Sequence, residues 1–247
     1  MRRYFKYMTE VTRTITKDTV NRLLKDVRNI MKNPLTDNGI YYVHDDEDIL
    51  KGYAMIEGQS DTPYFGGFYL FKFQYGGDYP YSPPVVTYHT NDGLIRFNPN
   101  LYANGKVCVS ILNTWKGEQW TSCQTISTIL LTLSTLLCKN PIVNEPGFSV
   151  FNSDCEPYNE IIQYSNIKTA ICEMIKQKPG VFPAEFRMFA PFMKEIFLKN
   201  YDAILLFLNG KKEKPTHVQR TRIYSLSIHI NYDMLYDMFV SCKQLCV

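Results

Sequence analysis

The chain has 247 residues, 45% hydrophobic and 21% charged, with a formal net charge of +3. That is the balance of an ordinary soluble globular protein, long enough for one large domain or one and a half. So small a positive excess argues against nucleic acid as the main partner.

The seven cysteines (Cys108, Cys123, Cys138, Cys155, Cys172, Cys242 and Cys246) are odd in number and mostly far apart. In a chain much larger than disulfide-stapled domains they read as free thiols of a reducing compartment. Residues 1–17 form a basic N-terminal extension without a secretory apolar run; Arg2, Arg3, Lys6 and Arg13 could open a mitochondrial address, but Glu10 and the scarcity of Ser favour a plain extension. The longest purely apolar run, Ala203 to Leu208, is far short of the roughly 20 residues a spanning helix needs. The expectation is a cytoplasmic protein, with the nucleus left open, and no membrane partner.

Asp18 to Lys32 repeats apolar residues at spacings of three and four (Val20, Leu23, Leu24, Val27, Ile30, Met31), which predicts an amphipathic helix. Pro34 and Asp37-Asn38-Gly39 end it. Strands are expected at Ile40 to Val43, Ile49 to Glu57, Phe68 to Tyr75 and Val85 to Tyr88. In the third, Tyr69, Phe71, Phe73 and Tyr75 alternate against Phe68, Leu70, Lys72 and Gln74, and the first set is the expected core face. The short links favour an antiparallel meander, since parallel pairing needs a long crossover. The fold class expected is α+β.

Three prolines in Tyr79-Pro80-Tyr81-Ser82-Pro83-Pro84 make a rigid rim before the fourth strand. Leu94 to Glu118 lacks periodicity and contains Cys108; a long irregular stretch in a compact domain is usually functional. Thr125 to Lys139 returns to helical spacing, Asn140 to Phe148 is a rigid link, and Ser153 or Asp154 is placed to cap another helix running to Ile175. Residues 18–178 read as a core and 179–247 as a helical extension packed on it, with helices at Pro191 to Leu208 and Asp233 to Leu245. The basic break at Lys211, Lys212 and Lys214, with Arg220 and Arg222 beyond, is expected to be solvated or to meet an acidic partner.

Four scattered histidines (His44, His89, His217, His229) do not suggest a cysteine hydrolase. The one close cysteine pair, Cys242 and Cys246, has no second pair to complete a zinc site, and no phosphate-cradling glycine motif occurs, so neither metal nor cofactor is expected. Taken singly, Cys108 reads as a buried structural thiol, Asn100 as a turn residue and Glu145 as a solvated loop acid.

Together the motifs say more. Tyr79-Pro80-Tyr81-Ser82-Pro83-Pro84, Asn98-Pro99-Asn100, Gly105-Lys106-Val107-Cys108-Val109, Trp120, and Asn140-Pro141 through Glu145-Pro146 follow one another in a register that resembles the ubiquitin-conjugating enzymes, over about Asp18 to Gln177. Asn98 stands where that family has histidine, and extra residues between Cys108 and Trp120 give the run Trp115 to Trp120. Arg96-Phe97-Asn98-Pro99-Asn100, the long tryptophan loop and Asn144-Glu145-Pro146-Gly147-Phe148 look most like the larger Z-type and Bruce-type members.

The resemblance implies that Cys108 accepts ubiquitin or a ubiquitin-like protein as a thioester from an activating enzyme. It further implies transfer to a substrate protein lysine, usually with a ubiquitin ligase. The chemistry is compatible, because thioester exchange costs little free energy and storage disfavours a strong base beside the sulfur. Asn100 would donate to the tetrahedral oxyanion, a contact whose loss typically costs about 2.7–4 kcal/mol. A lysine with a reference pKa of about 10.4 needs help to lose its proton, and Glu145 is the candidate. A non-catalytic, ubiquitin-binding module of the same fold is the alternative, although such modules lack the cysteine.

Overall fold

The computed structural model describes residues 15–246; the basic stretch 1–14 that suggested an N-terminal extension lies outside the described residues. Helix α1 (Lys17–Lys32) opens on Thr16, whose hydroxyl accepts from the Thr19 N–H and so satisfies a donor that the first turn leaves free. Strands β1 (Ile40–His44), β2 (Lys51–Glu57), β3 (Phe68–Gln74) and β4 (Val85–Tyr88) form one antiparallel sheet in that order. Helix α2 (Ile126–Leu136) begins with a reciprocal Thr125–Thr128 capping box, and α3 (Cys155–Ser165) continues as a π-helical segment, Asn166–Glu173. The remainder holds α4 (Ala190–Asn209), a hairpin of β5 (His217–Arg220) and β6 (Ser227–Ile230), and α5 (Tyr232–Cys242). No helix among the described residues is long and apolar enough to cross a membrane.

Side chains alternate across a strand, so β2 and β3 each present two faces. Ala54, Ile56, Tyr69, Phe71 and Phe73 pack with α1, α2 and α3, as the alternation predicts. The opposite face is not left to water: Tyr53, Met55, Phe68 and Leu70 lie in a second core with Ile167 and Ile171 and with Phe186, Phe189, Phe197 and Leu208 of the extension. This face becomes polar at its ends, where Lys72 pairs with Glu185 at 3.0 Å, Gln74 is exposed, and Glu57 of β2 accepts from Asn200 Nδ2 at 2.9 Å. Full burial of a large apolar side chain contributes about 1.5–3 kcal/mol, which is why so aromatic an extension folds onto the sheet.

The link between β2 and β3 is locked to the π-helical segment. Asn166 Oδ1 accepts from the Tyr69 hydroxyl at 2.6 Å, and its Nδ2 donates to the Phe65 carbonyl at 2.9 Å. A Cβ on Gly67 would lie 1.9 Å from that Oδ1, so only glycine fits there.

The extension also contains a feature its periodicity does not announce, the β5–β6 hairpin. Each strand has four residues, too short and too polar to stand out from a loop. Lys212, Lys214, Arg220 and Arg222 are exposed, with Lys212 over the Tyr236 ring at 4.4 Å, whereas Lys211 is half-buried, 5.4 Å from the Phe207 ring and 5.8 Å from that of Tyr232.

Phe239 of α5 is fully buried, with the rings of Phe197 and Tyr201 5.1 and 5.2 Å away. Phe239→Ala should cost about 3–5 kcal/mol, lowering a single melting transition by roughly 6–20 °C. Two transitions, of which only one moves, would show that core and extension unfold separately.

Candidate active site

The segment around Cys108 has no regular ladder and is held by local turns. Asn104 and Gly105 form its tip: Gly105 takes φ +86°, and its carbonyl accepts from the Tyr88 N–H at 2.8 Å. A Cβ at Gly105 would meet the Tyr88 carbonyl at 3.0 Å, so the left-handed turn and the close approach both call for glycine. Beyond the tip, Leu101 and Val107 form an isolated antiparallel bridge.

Asn100 grips Cys108 at both ends of its backbone. Its carbonyl accepts from the Cys108 N–H at 2.9 Å, and its Nδ2 donates to the Cys108 carbonyl at 2.6 Å. Asn100 Oδ1 is buried without a hydrogen-bond partner. The Cys108 residue is 2% exposed. Among the described residues no imidazole is hydrogen-bonded to it: the rings of His44, His89 and His217 bond to Tyr42 and Ile49, to Thr87, and to Pro215 and Glu160, and His229 is on the β5–β6 hairpin. Burial pushes the thiols of Cys138 and Cys155 up, which keeps them protonated and poor as nucleophiles.

Asn98 lies beneath this segment and is fully buried. Its Nδ2 donates to the Leu136 carbonyl at 2.7 Å and to the Tyr64 hydroxyl at 3.0 Å, and its Oδ1 accepts from the Asn100 N–H at 2.9 Å. The Leu136 carbonyl belongs to the last turn of α2, where acceptors lack helical partners. Asn144 Nδ2 converges on the same groups, 3.2 Å from the Leu136 carbonyl and 3.4 Å from Asn98 Oδ1. The end of α2 thus ties the Asn98–Asn100 turn to the link that carries Glu145.

The rim closes the other side. Trp120 Nε1 donates to the Pro80 carbonyl at 2.7 Å, the Trp120 N–H donates to Asn113 Oδ1 at 2.8 Å, and the Tyr79 hydroxyl donates to Asp26 of α1 at 2.6 Å. The extra residues before Trp120 form an exposed loop with Trp115 at its surface.

Glu145 closes a short 3-10 turn, Pro141–Asn144, and its Oε2 accepts from the Tyr224 hydroxyl at 2.5 Å. Tyr224 comes from the tip of the β5–β6 hairpin, and sequence reasoning passed over it. Its ring covers one face of the Arg96 guanidinium at 4.0 Å while Tyr102 covers the other at 3.7 Å, and Arg96 Nη2 donates to the Pro99 carbonyl. Arg96 and Asn144 stand inside quoted motifs without a role of their own, Tyr102 only beside them, and nothing in the sequence joins Tyr224 to any of the three. Asp154 occupies the N-cap of α3 but does not cap it; its Oδ2 accepts from the Ile223 N–H at 2.8 Å instead. Tyr224 and Ser225 take φ +57° and +51°, left-handed conformations that cost a non-glycine residue about 1–3 kcal/mol each.

Asn98→Ala would leave the Asn100 N–H without its side-chain partner, the Leu136 carbonyl with Asn144 alone and the Tyr64 hydroxyl with only its bond to the Phe97 carbonyl. At about 1–3 kcal/mol for a buried group left unpaired, melting should fall by roughly 2–12 °C. An unchanged melting temperature would show that Asn98 does not hold the loop.

A family model described as ubiquitin-conjugating enzyme matches residues 22–178. The chain is 39% identical over 201 residues to ubiquitin-conjugating enzyme E2 Z of Danio rerio, covering 80% of this chain and 58% of the relative. It is 44% identical over 186 residues to the E2 Z protein of Xenopus tropicalis (74% and 58%) and 42% identical over 184 residues to that of Homo sapiens (73% and 50%). It spans half to somewhat over half the length of these relatives. With the matched region coinciding with the sheet, the Cys108 loop and α3, the chain belongs to the ubiquitin-conjugating enzyme family and resembles its Z-type members.

Proposed function

We propose that this chain carries ubiquitin or a ubiquitin-like protein as a thioester on Cys108 and delivers it to a lysine of a substrate protein. The observation that supports this most is the cysteine held by its backbone on Asn100 with no imidazole bonded to it. Such a site stores an acyl group instead of hydrolysing it.

In the loading step the Cys108 sulfur attacks the carbonyl carbon of a thioester presented by an activating enzyme. The new C–S bond forms, the old one breaks, the donor cysteine leaves, and the Cys108 proton reaches that thiolate or solvent. In the discharge step a lysine nitrogen attacks the same carbon, usually on a ligase. The C–N bond forms, the C–S bond breaks, and the proton lost by nitrogen passes through Glu145 to the departing Cys108 thiolate or to solvent. Asn100 uses one amide hydrogen on the Cys108 carbonyl and has a second for the tetrahedral oxyanion. Glu145 uses Oε2 on Tyr224 and keeps Oε1 for the incoming amine.

Incubated with a panel of activating enzymes, ATP and modifiers, the chain should gain an adduct that reductant removes, and Cys108→Ala should abolish it. Persistence in that variant, or an adduct on Cys123 or Cys138, would contradict the assignment.

Asn100→Ala separates the two steps. Loading should stay within a few-fold, whereas discharge to lysine should slow by roughly a hundredfold or more. Equal losses in both steps would reduce Asn100 to a support for the loop.

A further inference from the structure

The hairpin tip of the extension is built so that one side chain enters the site. Ile223 and Leu226 are sunk into the main core, and the Thr221 hydroxyl donates to the Ile223 carbonyl at 2.7 Å. With Asp154 holding the Ile223 N–H, these contacts impose the left-handed backbone at Tyr224. The phenol then has one strong partner, the Glu145 carboxylate at 2.5 Å, and its ring meets Arg96 on a face and Tyr158 edge to face at 6.1 Å.

From this geometry we propose that Tyr224 is a positioning residue for transfer to lysine: it fixes the orientation of the Glu145 carboxylate and steadies the Arg96 platform beneath Pro99. The proposal rests on the reading of Glu145 as the group that receives the incoming amine. Oε1 of Glu145 makes no hydrogen bond among the described residues, so the Tyr224 bond to Oε2 aims the remaining acceptor. Burial, followed by the bond to Glu145, raises the Tyr224 phenol above its ordinary range and keeps it a donor. Arg96 acts in the opposite sense but leaves the phenol raised. The stacking of Arg96 between Tyr102 and Tyr224, with its bond to the Pro99 carbonyl, carries the same constraint to the turn that places Asn100. The extension is on this account part of the transfer site as well as a cover for the sheet.

The test uses the full chain loaded with whichever modifier it accepts. Tyr224→Phe keeps the ring and removes the hydroxyl; Glu145→Ala and the double variant complete a cycle. Single-turnover discharge is followed against lysine concentration and, separately, against hydroxylamine, which is already unprotonated near neutral pH. Tyr224→Phe should load within about twofold of the parent. It should lower the maximal rate of discharge to lysine by about tenfold or more, with little change in the half-saturating lysine concentration. Discharge to hydroxylamine should be preserved, and in the Glu145→Ala background Tyr224→Phe should cost nothing further.

Discharge of Tyr224→Phe to lysine at the parent rate, equal losses with lysine and hydroxylamine, or independent losses in the double variant would overturn the proposal. Failure of the underlying reading shows elsewhere. If the parent forms no adduct on Cys108, or if Glu145→Ala discharges to lysine normally, the proposal falls with it. If Glu145→Ala is impaired and Tyr224→Phe is not, only the role of Tyr224 falls.

Discussion

The candidate site depends on one acceptor at the end of a helix. The last carbonyls of α2 have no helical donors, and the Leu136 carbonyl is satisfied by Asn98 and Asn144 instead. Because Asn98 also accepts from the Asn100 N–H, and Asn100 bonds the Cys108 carbonyl, a few short contacts run from a rigid helix to the candidate nucleophile. Asn144 adjoins Glu145, so the same helix end sets the position of the acidic residue. An asparagine suits this place because its amide donates and accepts at once, with neither a charge nor a titrating group in a buried setting.

The second constraint comes from the sheet. Both faces of β2 and β3 are apolar, and a sheet of that kind needs cover on both sides. The helices of the extension supply the second cover, and the hairpin between α4 and α5 is thereby brought to the opposite end of α3, near Arg96 and Glu145. Packing and site construction are linked in this way. The strained tip at Tyr224 is tolerated because Ile223, Leu226 and Asp154 overdetermine it.

Much of the fold was legible in the residues because local signals and global packing agree. The spacing in α1 and α2, the alternation in β3 and the prolines of the rim each produce the element they suggest. Cys108, Asn100 and Glu145 stood out through the order of their motifs. The full burial of Phe68 and Leu70 was not legible, since alternation gives two faces but does not say what lies on the second. Asp154 has a capping residue's identity and position, yet its carboxylate serves a distant N–H; a long-range partner outcompetes the local one. Tyr224 was hidden for a related reason: a lone tyrosine between two short polar strands has no periodicity, and its partners are far away in sequence.

The most direct test of the account is a structure of the full chain in the Cys108→Ser form with the modifier attached as an ester. The account predicts that the carbonyl oxygen of the ester lies within hydrogen-bonding distance of Asn100 Nδ2, that Glu145 Oε1 faces the carbonyl carbon from the side a lysine would approach, and that the Tyr224–Glu145 bond persists. An ester carbonyl turned away from Asn100, with Glu145 facing open solvent, would contradict it.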